Sequence, residues 1–364
     1  MTDEPEGGQS RPCPSCGEPV WPADNFCESC RAVLTSPGVS AVGAPSPVPV
    51  CPHCQSASIS SDGYCESCGH KMPAARDHAE INLGQLAGVT DRGVHHYRNE
   101  DALALSATKA AAGPVSIAVV CDGVSGSDRG DEASQVAVEA ALAVLEPAVR
   151  AGLDEATAST QAVQAAQKAV AGLTGPPESS MAQDAPSATF VSAIITPDAV
   201  TVCWLGDSRA YWLADGNPPT GQQLTTDDSL ATELVSAGVL SAEEAPESPQ
   251  AHVVTGWLGA DVSTRSARVL RFVPPSAGAV LLCSDGLWNY LPDSADLAAR
   301  AMPTALADPL GTARMLVEFA LQAGGRDNIT VVIAPFSPAT AATASCADPT
   351  SVPPTQPGAR SDDE

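Results

Sequence analysis

Val115-Ser116-Ile117-Ala118-Val119-Val120-Cys121 runs straight into Asp122-Gly123. An uncharged run rich in β-branched side chains reads as a buried strand, and the Asp-Gly pair as its end. The design is repeated. Val200-Thr201-Val202-Cys203-Trp204-Leu205 leads into Gly206-Asp207-Ser208-Arg209, and Ala279-Val280-Leu281-Leu282-Cys283-Ser284 leads into Asp285-Gly286-Leu287-Trp288. Gly324-Gly325-Arg326-Asp327-Asn328 stands just before the apolar run Ile329 to Ala334. A strand that ends in a carboxylate holds it rigidly at a sheet edge. Several such strands gather groups that repel one another, and a hard divalent cation is the usual reason to tolerate that repulsion. The pattern points to metal-dependent hydrolysis.

Beyond these runs, strands are expected near 84–90, 101–105, 188–196, 209–214 and 267–272. Two Ala-rich stretches, about 131–150 and 154–173, read as helices separated by Gly152 and Leu153. A further helix fits 308–323, ended by Gly324-Gly325. Asp215-Gly216-Asn217-Pro218 is a hairpin-type turn. Long helices set between strands and then a run of strands argue for an α+β domain rather than a parallel βαβ repeat. That domain is placed at 83–336, with a disordered N-terminus at 1–12 and a disordered tail rich in Ala, Thr, Ser and Pro at 337–364.

The N-terminal region carries a second signal. Cys13-Pro14-Ser15-Cys16 is followed after ten residues by Cys27-Glu28-Ser29-Cys30; Cys51-Pro52-His53-Cys54 is followed at the same distance by Cys65-Glu66-Ser67-Cys68. Each pair presents two thiolates, and two facing pairs complete a tetrahedron. A module of about 20 residues cannot bury a core, so the metal would supply its folding free energy. The repeat resembles the double zinc ribbon: ribbon one at 13–30, ribbon two at 51–70, two structural Zn²⁺ in all. Rubredoxin-like iron or a redox dithiol are the alternatives. Residues 31–50, rich in Pro, Ser, Ala, Val and Gly, and residues 71–82 read as linkers.

Composition excludes some partners. The 364 residues carry a formal charge of -25, which disfavours nucleic acid and anionic membrane surfaces. Phosphorylated substrates stay open, because metals can supply positive charge locally. Hydrophobic residues make up 44 % of the chain but aromatics only 4 %, so the core must be built from Ala, Val and Leu. No signal-peptide core and no long apolar run are found, so a cytoplasmic location is expected.

Six motifs follow one another in the large domain: Asp91-Arg92-Gly93, Asn99-Glu100-Asp101-Ala102, Asp122-Gly123, Gly206-Asp207-Ser208-Arg209, Ser284-Asp285-Gly286-Leu287 and Gly325-Arg326-Asp327-Asn328. This ordered set resembles the PPM-type, or protein phosphatase type-2C-like, metal-dependent serine/threonine phosphatases. The resemblance implies two antiparallel β-sheets packed as a sandwich, flanked by helices, with two or three Mn²⁺ or Mg²⁺ at one edge. It implies that Asp122 bridges two ions, that the Gly123 carbonyl binds one, and that Asp285 and Asp327 complete the second site. Asp207 with Asp285 would form a third site, and Glu100 and Asp101 would act through waters. A water activated by both cations, about 3.5–4 Å apart, would attack phosphorus without a covalent intermediate. Phosphorylated proteins are the implied substrates, and Ser/Thr kinases the opposing activity.

Three positions depart from the family pattern. His96 stands where an Arg binds the substrate phosphate; His96, Arg92 or Arg98 could take that part, or the two histidines are merely exposed. Ser125 replaces a Gly, and Asn289 stands where some relatives place a third-site Asp. These departures motivate the alternative of a catalytically weak pseudophosphatase that binds phosphoproteins as a scaffold. The ribbons are expected to serve as adaptor or regulator. Cys121, Cys203 and Cys283 read as small buried hydrophobes.

Overall fold

Three central strands are buried along their whole length: Phe190–Ile195, Val200–Leu205 and Gly278–Cys283. Strands covered on both faces need layers on both sides. The computed structural model describes residues 76–338 except 125, 128, 174–184, 242, 246–247, 249–252 and 261–265. Before residue 70 it describes 11–12, 19–20, 39–42, 51, 54, 56, 58, 60 and 64–69. Arg11–Pro12 (β1) and Pro19–Val20 (β2) pair with each other.

The layers are two six-stranded antiparallel sheets. Sheet I runs, in spatial order, Arg268–Phe272 (β14), Val200–Leu205 (β10), Phe190–Ile195 (β9), Gly113–Asp122 (β7), Asp101–Ala110 (β6) and Val39–Val42 (β3). Sheet II runs Thr220–Gln223 (β12), Arg209–Ala214 (β11), Gly278–Cys283 (β15), Ile329–Phe336 (β16), Ala87–Asp91 (β5) and His78–Asn82 (β4). A two-stranded pair, Ser187–Ala188 (β8) and Leu258–Gly259 (β13), completes the strands.

Side-chain alternation in β7 shows how the layers bind. Ile117, Val119 and Cys121 face the helices Gly130–Arg150 (α1) and Glu155–Ala171 (α2). Ala118 and Val120 face sheet II, joining Leu103, Trp212, Leu282 and Val332 in the inter-sheet core. Ala133, Ala137 and Ala141 on α1 and Ala158, Ala162 and Ala166 on α2 repeat at helical spacing, and their small side chains fill a separate core between sheet I and these helices. Asp154 caps α2 by accepting the Thr157 N–H at 2.9 Å. Ser294–Ala305 (α5) and Pro309–Ala323 (α6) cover sheet II, while Leu230–Ser236 (α3) and Asp285–Trp288 (α4) are short. The architecture is the expected α+β sandwich with flanking helices. No helix among the described residues is long and apolar enough to cross a membrane.

The structure corrects several sequence expectations. The expected strand at 84–90 is β5, which starts later, at Ala87; residues 83–86 before it belong to a turn from β4 in which Asn82 Oδ1 accepts the Gly84 N–H at 2.9 Å. Both stretches read as linkers contribute strands: β3 from 31–50 pairs with β6, and β4 from 71–82 pairs with β5. Their compositions gave no strong pattern because edge strands need only backbone pairing. Helix α5 was not expected, because Pro303 inside it breaks the apolar pattern. Cys13, Cys16, Cys27 and Cys30, the N-terminus 1–12 other than β1, and the tail from 339 lie outside the described residues.

Candidate active site

The two sheets meet at one end, where the acidic motifs converge. Asp101 opens β6 and Asp122 closes β7, and the two are direct cross-strand partners. Like charges placed opposite each other destabilise a sheet, so this pair demands a compensating role. Gly206-Asp207-Ser208 carries the chain from β10 in sheet I to β11 in sheet II at the same end. Gly206 makes that crossing with φ +106, and an added Cβ would lie 2.8 Å from Thr189. Asp285 is the first residue of α4, directly after β15 and Ser284; Asp327 lies two residues before β16. At Gly123 a Cβ would stand 2.6 Å from the Gly130 backbone, so glycine lets β7 end against the start of α1.

The site is electrostatically unbalanced. Asp101 is 2 % exposed and Asp207 5 % exposed. Burial pushes Asp101 up to about 7, against hydrogen bonds to its Oδ2 from Ser284 Oγ and Thr330 Oγ1, each at 2.7 Å. Burial, then the neighbouring Asp227, pushes Asp207 up to about 7. Asp122 and Asp285 stand well above the ordinary carboxylate range, first through burial and then through the surrounding aspartates. Burial also raises Glu100. Asp101 Oδ1 and Asp285 Oδ1 are buried without a hydrogen-bond partner. Among the described residues, the one basic side chain within ion-pair distance of Asp101, Asp122, Asp207, Asp285 and Asp327 is His96, whose Nε2 lies 3.1 Å from Asp327 Oδ1.

Orphaned buried carboxylate oxygens with so little counter-charge fit hard divalent cations. A cleft of about 390 Å³ opens over them, lined by Asp122, Asp207, Asp285 and Asp327 with Val124 and Trp257. A second, of about 700 Å³, shares Asp285 and Asp327 and is walled by Arg209, Asn289 and Arg326.

The expected site residues are placed as follows. Asp101, Asp122, Gly123, Asp207, Asp285 and Asp327 come together at this end, and Glu100 lies beside them, its carbonyl accepting the Gly123 N–H at 3.1 Å. His96 reaches the cluster; Arg92 does not. Arg92 Nε faces Asp77 Oδ2 at 3.3 Å, and Arg92 Nη1 donates to the His96 carbonyl. Arg98 pairs with Asp131 at 3.2 Å and approaches Glu100 at 3.8 Å. Asn289 Nδ2 donates to Asp285 Oδ2 at 3.2 Å, so it adds a hydrogen-bond donor to Asp285 rather than a further carboxylate. Ser125 lies outside the described residues.

Sequence reasoning missed the polar frame. Asn328 is buried; its Oδ1 accepts the Glu100 N–H at 2.8 Å, and its Nδ2 donates to the carbonyls of Arg92 and Arg98. Thr330 Oγ1 links Thr90 to Asp101. Single Asn and Thr residues carry no spacing signal; only the adjacency of Asn328 to Asp327 hinted at a role.

The second ribbon holds a separate centre. Cys51, Cys54, Cys65 and Cys68 place their sulfurs within 4.8 Å of one another, the only such group of ligand atoms among the described residues. Cys51 and Cys68 are 3.7 Å apart, Cys54 and Cys65 3.4 Å. Zn–S bonds of about 2.3 Å give a tetrahedral edge near 3.8 Å, so the sulfurs fit zinc. Cys121, Cys203 and Cys283 are buried, and burial raises all three thiols.

A sandwich of two antiparallel sheets with helices outside and an acidic cluster at one end defines a family by its geometry. The protein phosphatase 2C profile matches residues 92–319, and the double zinc ribbon profile matches residues 13–69. The chain belongs to the protein phosphatase 2C family. It is similar to the serine/threonine protein phosphatase PstP of Mycobacterium tuberculosis, 32 % identical over 252 residues that cover 69 % of this chain and 44 % of the relative. The chain thus spans less than half the length of that protein. It is similar to the serine/threonine phosphatase stp of Listeria welshimeri, 32 % identical over 253 residues covering 67 % of this chain and 92 % of the relative. Among solved structures it is similar to the catalytic domain of PstP in complex with two manganese ions, with a TM-score of 0.53, 28 % identity, and coverage of 68 % of this chain and 96 % of that one.

Proposed function

We propose that this chain is a metal-dependent phosphatase that hydrolyses phosphoserine and phosphothreonine in proteins. The observation that carries the reading is the gathering of five aspartates at one end of the sandwich: Asp122, Asp207, Asp285 and Asp327 line one cleft, Asp101 and Asp285 each bury an orphaned oxygen, and burial raises Asp101, Asp122, Asp207 and Asp285. Asp122, the Gly123 carbonyl, Asp285 and Asp327 would hold two Mn²⁺ or Mg²⁺; Asp207 with Asp285 would hold a third, and Glu100 and Asp101 would act through waters. When bound, such ions supply an activated water and neutralise phosphate charge. The manganese in the related PstP structure supports the choice of ion.

The chain's own residues do the positioning. Ser284 and Thr330 fix Asp101, Asn289 fixes Asp285, and His96 fixes Asp327. His96 also places a side chain able to carry positive charge beside Asp327, where a substrate phosphate would meet the cluster. A cysteine nucleophile is ill-suited here, because the cysteines of the sandwich are buried with raised thiol pKa values. All five aspartates are retained at the site, which does not favour a scaffold without activity. The ribbons serve as an adaptor or regulator, and the protein opposes Ser/Thr kinases in the cytoplasm.

Phosphate release from p-nitrophenyl phosphate and from phosphothreonine peptides, with Mn²⁺ titrated, tests the reading. Turnover that requires Mn²⁺ and disappears in Asp122→Ala is expected. Equal rates in wild type and Asp122→Ala at saturating Mn²⁺ would refute it.

A further inference from the structure

The Arg76-Asp77 step just before β4 reaches directly into the acidic end of the sandwich. It lies outside the span matched by the phosphatase profile, which begins at residue 92. Arg76 and Asp77 are the first continuously described residues after the ribbon, and they make four connections. The Asp77 carbonyl accepts the Arg92 N–H at 2.7 Å. The Asp77 carboxylate stands 3.3 Å from Arg92 Nε, an ion pair rather than an aligned hydrogen bond. The Arg76 carbonyl accepts from Asn99 Nδ2 at 3.1 Å, and Arg76 Nη2 donates to the Asp131 carbonyl at 2.8 Å.

Each connection leads toward the acidic cluster. Arg92, held by Asp77, donates through Nη1 to the carbonyl of His96, and the His96 ring meets Asp327. Asn99 is buried, and its Oδ1 accepts the Asp101 N–H at 3.2 Å. Its Nδ2 also donates to Thr90 Oγ1 at 2.8 Å, and Thr90 is joined through Thr330 to Asp101. Asp131 lies in the first turn of α1, whose start packs against Gly123. One short strap thus touches the supports of Asp327, Asp101 and Gly123.

We propose that Arg76 and Asp77 are positioning residues for the metal site: they fix the 92–101 loop so that Asp327 and Asp101 are preset for cations. The proposal rests on the metal-dependent reading above. Asp77 acts through Arg92, whose Nε is buried against it. Loss of the carboxylate leaves that cation without its charge partner and frees the loop. Groups that orient metal ligands from outside the ligand set commonly change metal affinity tenfold or more.

The test uses the full-length chain carrying zinc, with Mn²⁺ binding followed by calorimetry and by half-saturation of phosphate release. Asp77→Asn is expected to weaken Mn²⁺ binding about tenfold, to raise the half-saturating Mn²⁺ concentration in parallel, and to lower kcat less once Mn²⁺ saturates. Asp77→Glu, which keeps the charge, is expected to recover most of the affinity. Arg92→Gln combined with Asp77→Asn is expected to be no worse than either change alone, because both break one link. Mn²⁺ affinity within twofold of wild type in Asp77→Asn would overturn the proposal, whether or not the melting temperature falls. So would additive losses in the double variant. Because calorimetry needs no turnover, a wild type that binds Mn²⁺ yet hydrolyses nothing would sink the phosphatase reading and still decide the role of the strap.

Discussion

The second ribbon and the acidic end of the sandwich solve opposite problems with metals. The ribbon gathers four sulfurs from a segment of 18 residues, 51–68, and among the described residues its buried apolar cluster is Cys51 with Cys65. There the metal makes the fold. The acidic end gathers carboxylates from residues 101 to 327, held by two sheets and three apolar cores. There the fold precedes the metal and pays a penalty for it, because burial opposes the charged forms of Asp101, Asp122, Asp207 and Asp285. Soft donors close in sequence build a structural centre; hard donors far apart in sequence gather where burial opposes their charge.

The largest test of that contrast is Asp285→Asn. It removes a proposed ligand, so activity should fall by more than about a hundredfold. It also removes a buried carboxyl whose ionisation is opposed by burial and the neighbouring aspartates and whose Oδ1 has no partner, so at a pH where that group must ionise the metal-free protein should melt at a higher temperature than wild type. A melting temperature that drops would show that Asp285 is a structural support rather than a strained ligand. At the ribbon the sign reverses. Cys65→Ser should lower the zinc content from two ions per chain to one and should leave the melting of the sandwich in place. A zinc content unchanged by metal analysis would remove the ribbon centre from the account.

A smaller effect follows from pH. Asp101 and Asp207, raised to about 7, keep protons in the folded chain that the unfolded chain loses near pH 4. The folded state binds more protons between those values, so metal-free stability should be greatest near pH 4 to 5 and decline by a few kcal/mol toward pH 7. Mn²⁺ should offset the decline, so the gain in melting temperature on adding Mn²⁺ should grow as pH rises. A gain independent of pH would break the link between the acids and the cations.

Much of both regions was legible in the sequence, for different reasons. The cysteine spacing alone marks the second ribbon, because its ligands are local. The aspartates were legible because each follows or precedes an apolar strand, and uncharged runs such as 115–121 and 279–284 declare their burial. Edge strands β3 and β4 were not legible, since an edge is held by backbone hydrogen bonds that any side chain permits. The frame of Asn99, Asn328, Thr330 and Ser284 was not legible either. Isolated small polar residues acquire a role only when folding brings residues 90, 101 and 330 together. Arg92 misled because its neighbour in space, Asp77, lay in a stretch read as linker.

Anomalous scattering at the manganese edge, from crystals of the zinc-loaded protein grown with Mn²⁺, tests the central claim most directly. The account predicts at least two peaks at the sandwich end, with Asp122 touching two of them and Asp285 and Asp327 reaching one. Peaks confined to the cysteines, or an acidic cleft without any, would contradict it.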